Sequence, residues 1–220
     1  MQDFRAYTTI KEPCEVLQVI KKSKFYGRLF PVQTPEEAQT IVDDCKKKYW
    51  DASHNCSAYV IGKMGELSRC SDDGEPSGTA GKPMLDVLLG EELHNTAVVV
   101  TRYFGGTLLG TGGLVRAYSS AVKAGLASSV IITKKQGIKL EITTEYTGLG
   151  KIQYILAEKG MTVLDTLYTD KVEMTVLVPA RELEGLKAAI MEGTNGRVRM
   201  EEGETCYYAE IEGKNRVLED

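Results

Sequence analysis

Apolar residues alternate with polar ones over Ala6 to Lys11 and again over Cys14 to Val32, so both segments read as strands, the second interrupted around Lys21-Lys22-Ser23. The period changes after Thr34. Ala38, Ile41, Val42, Cys45 and Tyr49 fall on one helical face, with Thr34 as cap, Pro35 at the first helical position and Glu37 completing a capping box. Lys46-Lys47-Lys48 closes that helix where cations complement its dipole; an RNA contact is the other reading of the triplet. His54 to Lys63 returns to strand, and a loop rich in Gly, Ser and acids follows. Pro83 through Leu89 is a short helix. Asn95 to Phe104 is a strongly apolar strand, from which a glycine-rich loop leads into a helix from Gly113 to Ala127. The apolar face of that helix is Leu114, Val115, Tyr118, Ala121, Val122 and Leu126.

A break falls at Ile132 to Gly137, where the helical pattern ends and alternation resumes. Beyond it come a strand (Ile138 to Tyr146), a helix (Gly148 to Lys159, ended by Gly160) and two strands, Met161 to Tyr168 and Lys171 to Val178, split by Thr169-Asp170. A second helix carries Leu183, Leu186 and Ile190 and ends near Gly193; the strands Arg197 to Glu202 and Thr205 to Ile211 close the chain. Strand-helix-strand-strand-helix-strand is the ferredoxin-like order. The expectation is an α+β protein of two α/β-sandwich domains, residues 1–133 and 134–220. A chain of 220 residues suits one large domain or two small ones and can bury a core without disulfides.

No apolar run approaches the ~20 residues of a membrane span. Met1-Gln2-Asp3-Phe4-Arg5 opens no signal-peptide stretch. Five cysteines, odd in number and without a CxxC, fit reduced thiols in a cytoplasm. The expected setting is therefore cytoplasmic, with no membrane partner. Residues 1–133 hold 15 Lys+Arg against 15 Asp+Glu, and residues 134–220 hold 12 against 16, which accounts for the net charge of −4. Dedicated nucleic-acid binders show a basic excess, so any RNA contact here must come from a local patch.

Two loops carry residues too specialised for plain connectors. The first, Ser71 to Pro83, holds Asp72, Asp73, Glu75, Ser77 and Thr79 among three glycines and ends on Gly81-Lys82. It fails the P-loop pattern, because Pro76 stands where the first glycine belongs and Pro83 where the hydroxyl belongs. The second, Thr101 to Gly113, carries five glycines and fails the dinucleotide pattern, because Val115 takes the place of the third glycine. Glycine-rich backbone entering a helix still offers N–H groups to an anion, and Arg102 and Arg116 lie close by in sequence. The other reading is a pair of tight turns with structural glycines. The acidic trio suits acid–base work or a divalent ion, or else a solvated turn. His54, Cys56 and Cys70 lack a fourth ligand for structural zinc, so no metal, cofactor or catalytic residue is assigned.

Lys22-Ser23-Lys24-Phe25, Asp51-Ala52-Ser53-His54-Asn55-Cys56-Ser57-Ala58-Tyr59, Asp72-Asp73-Gly74-Glu75-Pro76-Ser77-Gly78-Thr79-Ala80-Gly81, Thr101-Arg102-Tyr103-Phe104-Gly105-Gly106 and Gly113-Leu114-Val115-Arg116-Ala117-Tyr118 occur in that order. Together they resemble the IMPACT family in its bacterial two-domain form. The resemblance implies an N-terminal domain folded like the second domain of a small-subunit ribosomal protein, a fold shared with elongation factor G. It also implies a C-terminal domain similar to that factor's ferredoxin-like last domain. Eukaryotic relatives are translation regulators that compete for a partner of a stress kinase. The expected function is therefore non-enzymatic and translation-associated, with RNA, the ribosome or a protein as partner. The expected anion or RNA contacts are Arg102, Arg116 and Lys82, with Gly105, Gly106, Gly112 and Gly113 for close approach and Tyr103 or Phe104 for stacking; Lys22, Lys24 and Arg28 widen the patch. The alternative is an enzyme on a phosphorylated or nucleotide ligand, with His54, Asp72, Asp73, Glu75, Ser77 and Thr79 facing the glycine loop across one cleft. A third reading is a protein-interaction module using the same glycine-rich surface.

Overall fold

The structure, a computed structural model, describes residues 6–218; the Met1–Arg5 segment read above for a leader lies outside them. The chain divides into two compact units, Tyr7–Thr133 and the part from Lys134 onward, with Ala6 going with the latter. In the first unit β2 (Cys14–Ile20), β3 (Ser23–Pro31), β4 (His54–Ile61), β5 (Leu67–Ser71) and β6 (Thr96–Tyr103) form an antiparallel sheet in the order β2-β3-β6-β4-β5. The short β1 (Tyr7–Ile10) pairs with β7 (Ile131–Thr144), a strand that starts in this unit and continues into the next.

The apolar run of β6 is explained by two covered faces, since successive side chains leave a strand in opposite directions. Val98 and Val100 join Phe25, Leu29, Met84, Leu88, Tyr118 and Val122 beneath α2 (Gly81–Gly90) and α3 (Thr111–Ser128). Val99 packs instead on Val42 and Cys45 of α1 (Pro35–Lys48). That helix starts as its sequence demands: the Glu37 N–H donates to Thr34 Oγ1 at 3.2 Å, and Glu37 Oε2 accepts the Gln33 N–H at 2.7 Å. Strand β5 was expected to be loop. Four of its five residues are exposed, so it carries no apolar alternation and is held by backbone pairing to β4.

The second unit has the sheet order β11-β10-β7-β9-β8, from β8 (Thr162–Tyr168), β9 (Val172–Pro179), β10 (Arg199–Ile211) and β11 (Lys214–Leu218). This is the ferredoxin-like arrangement with one added edge strand. Helices α4 (Tyr146–Glu158) and α5 (Leu183–Gly193) bury Ile152, Ile155, Leu186 and Ile190 against Leu140, Ile142, Met174 and Val176 on one face. Two details differ from the sequence reading. The expected strand pair ending the chain is the single strand β10, whose Gly203 lies in a register shift rather than a turn. Its partner β11 follows Glu212-Gly213, both with φ above +50°. The α+β class expected from the order of elements is the class observed. Among the described residues no helix is long and apolar enough to cross a membrane.

Candidate functional site

The acid-rich loop between β5 and α2 spends its carboxylates on its own architecture. Asp72 accepts the N–H groups of Gly78 at 2.8 Å, Ala80 at 3.0 Å and Gly81 at 2.8 Å, which ties the loop to the first turn of α2. Partial burial alone would raise the Asp72 carboxyl, but those three amides outweigh it and hold it below the usual carboxylate range. Asp73 accepts the Asn55 N–H at 2.7 Å and pairs with Lys46 at 2.6 Å. Gly81 cannot gain a side chain, since a Cβ would lie 2.8 Å from the Ser71 backbone. Thr79 is buried with its hydroxyl donating to the Pro76 carbonyl, while Ser77 is exposed.

Glu75 is the member of the trio that turns inward. Its side chain is 3% exposed, and Oε1 accepts from Arg102 Nη1 at 2.6 Å and from the Tyr118 hydroxyl at 2.7 Å. His54 Nδ1 donates to the Asp73 carbonyl at 2.9 Å, leaving Nε2 at 3.8 Å from Glu75 Oε2. The Cys56 thiol donates to the Asp72 carbonyl at 3.0 Å, and burial pushes it up to about 12. A thiol held so far above neutrality is no nucleophile. Burial also raises the Tyr118 hydroxyl, so it stays a donor to Glu75. The cluster clamps both loops to the sheet, and removing one partner of such a buried pair costs about 3–5 kcal/mol.

The glycine-rich loop is built differently. Its first amides are satisfied locally, Phe104 N–H on Ser53 Oγ and Gly105 N–H on Ser23 Oγ. Gly105 is forced by packing, because a Cβ there would sit 2.1 Å from the carbonyl carbon of Lys22. The loop then enters α3 through Gly110, whose carbonyl accepts the Leu114 N–H at 2.9 Å. No side chain caps this helix and its first turn holds no acid, so its N-terminal dipole is unopposed. It opens onto a cleft of about 550 Å³ lined by residues of both loops and of β4, among them Glu75 and Pro76, Phe104, Leu108 and Thr111, and His54. Phe104 is 49% and Leu108 83% exposed. The Arg102 guanidinium lines this cleft 5.6 Å from the centre of the Phe104 ring, with its Nε buried and without a partner.

The structure sorts the expected residues into three groups. Phe104, Glu75 and His54 line the cleft, and Gly112, Gly113 and the exposed Arg116 lie on the first turns of α3. Arg102 is reassigned from surface cation to buried ion-pair partner, its side chain 6% exposed. Tyr103 leaves the site, because strand alternation sends it to the opposite face of the sheet, next to Tyr26. Lys82 is also outside, exposed on α2 and paired with Asp86. Gly106, at φ +79°, has open space around it. Tyr118, Ser23 and Leu108 were not singled out. A tyrosine on an otherwise apolar helix face is the one readable signal among them, since a buried phenol needs a partner.

Comparison with known proteins joins these features to named relatives. Residues 21–126 match the Impact N-terminal domain, and residues 142–197 match a domain of unknown function, DUF1949. The chain is 43% identical over 202 residues to the IMPACT family member YvyE of Bacillus subtilis, covering 92% of this chain and 93% of that protein. It is 34% identical over 190 residues to the IMPACT family member YigZ of Escherichia coli, covering 86% and 93%. Protein IMPACT-B of Xenopus tropicalis is 34% identical over 128 residues, covering 54% of this chain and 40% of its own. A crystal structure described as that of a hypothetical protein superposes with a TM-score of 0.58 at 32% identity, over 90% of this chain and 98% of that one.

Proposed function

Because the chain belongs to the IMPACT family, we propose that it is a non-enzymatic, translation-associated protein that holds ribosomal RNA in the cleft of its first unit. One observation carries this reading: the uncapped, acid-free N-terminus of α3 opens onto a cleft of about 550 Å³ lined by the exposed Phe104 and Leu108, with the exposed Arg116 on the second turn of the same helix. The helix end and Arg116 suit a phosphate, and Phe104 suits a base splayed from its strand. The buried Arg102–Glu75 pair forms a neutral floor, so the attraction comes from the rim. Neither Asp72 nor Asp73 is free for acid–base work, since both are held by backbone amides.

The test is sedimentation of the tagged protein through a ribosome gradient at low and high salt, beside Phe104→Ala/Arg116→Ala. Salt-sensitive co-migration that the double variant loses is the expected result. A protein that stays at the top of every gradient overturns the reading.

A second reading, an enzyme on a small phosphorylated ligand, is favoured by one fact: the two loops do share a cleft, into which His54 reaches beside Glu75. An imidazole there is a candidate base. A thermal-shift screen with nucleotides, with and without magnesium, separates the two; no stabilisation by any phosphate ligand removes the enzyme.

A further inference from the structure

The face of the first sheet opposite the cleft is covered by α1 over only part of its length. Strand register defines three rows across it: Glu15–Arg28–Val99, Leu17–Tyr26–Thr101 and Val19–Lys24–Tyr103. The first row is covered, with Val99 under Val42 and Cys45, and Arg28 3.8 Å from the centre of the Tyr49 ring. The other two rows are open except at Thr101, which is buried. Leu17 is 50% and Val19 62% exposed, Lys24 is exposed, and the half-buried rings of Tyr26 and Tyr103 meet edge to face at 6.0 Å.

The turn that ends these rows has an unusual composition. Lys21 (φ 46°) and Lys22 (φ 69°) occupy both central positions of a two-residue hairpin loop, where the left-handed backbone favours Asn-Gly. Lysine holds that conformation at an energetic cost. Among the described residues, Lys21, Lys22 and Lys24 make no ion pair; of the nearby acids, Glu15 pairs with Arg28, while the exposed Asp51 accepts from the uncharged Tyr103 hydroxyl. Three free cations therefore border two aromatic rings and two exposed aliphatic side chains. The turn also touches the cleft loop through the Lys22 backbone packed on Gly105.

We propose that this open end of the sheet is a second RNA surface, which takes single-stranded RNA by stacking bases on Tyr26 and Tyr103 and holding phosphates with Lys21, Lys22 and Lys24. Three cations without an ion pair outweigh the Asp51 carboxylate and favour a polyanion, and the aromatic rings beside them suit unpaired bases better than a duplex. The inference rests on the RNA reading of the cleft and adds a separate surface to it.

The test is fluorescence anisotropy of a labelled oligouridylate with the full chain, its Lys21→Asn/Lys22→Gly variant and the cleft variant Phe104→Ala/Arg116→Ala. The turn variant relaxes the backbone while removing two cations, so its melting temperature should rise while its affinity falls about tenfold. Its log–log salt slope should also flatten by about 1.4, from two phosphates at about 0.7 each. A turn variant that binds like the wild type overturns the inference even if the cleft variant fails, and the cleft reading then stands. Loss of ribosome co-migration by the cleft variant alone, with oligouridylate binding lost only by the turn variant, supports both surfaces. A wild type that ignores oligouridylate overturns the inference, and if its turn variant then leaves ribosomes, the face docks a protein instead.

Discussion

The two loops that border the cleft look alike in sequence, rich in glycine and polar residues before a helix, yet they do opposite things. In the loop from Ser71 to Pro83 every carboxylate is taken: Asp72 by three amides, Asp73 by Asn55 and Lys46, Glu75 by Arg102 and Tyr118. In the loop from Phe104 to Gly113 the amides are satisfied only as far as Ser23 and Ser53, and the helix that follows begins without a side-chain cap. The acid loop is a buttress that spends its polar groups internally. Composition does not distinguish the two loops; hydrogen-bond partners do.

Five variants sharpen that contrast, and the first should have the largest effect. Glu75→Ala leaves Arg102 buried without its counter-ion and should cost about 3–5 kcal/mol in urea unfolding. A cost under 1 kcal/mol would mean that the clamp is not structural. Gly105→Ala comes next, because its Cβ would meet the Lys22 backbone and no rotamer can relieve that; a loss above about 2 kcal/mol is expected. Gly106→Ala, in the same loop but in open space at φ +79°, should cost only about 1 kcal/mol, from backbone strain alone.

Asp72→Asn should cost about 1–2 kcal/mol at neutral pH. The Asp72 carboxyl is depressed in the folded chain, so its contribution is complete above the unfolded carboxyl range and is lost as pH falls through the folded value. The stability gap between wild type and variant should therefore close below about pH 4, and a gap that persists there would refute the amide account. The smallest effect belongs to the glycine side: Phe104→Ala/Arg116→Ala removes exposed groups and should shift stability by no more than about 0.5 kcal/mol.

Much of the fold was legible because it rests on period and punctuation. Thr34, Pro35 and Glu37 announced α1, the run Ala97 to Val100 announced a strongly apolar strand, and the order of elements announced the ferredoxin-like unit. Strand β5 was not legible, because an exposed polar edge strand held by its backbone has no apolar signature. The site was only partly legible. The two loops were identifiable as unusual, but the pairing of Glu75 with Arg102 spans 27 positions, and no local pattern encodes it. Tyr103 and Phe104 looked equivalent as stacking residues until the strand sent them to opposite faces.

The most direct test of the division of labour runs Phe104→Ala/Arg116→Ala beside Asp72→Ala on ribosome gradients, at a temperature where circular dichroism shows both folded. The expected result is loss of salt-sensitive co-migration by the first variant and its retention by the second. Co-migration kept by the first and lost by the second would contradict the account, because the acid loop would then be the working surface.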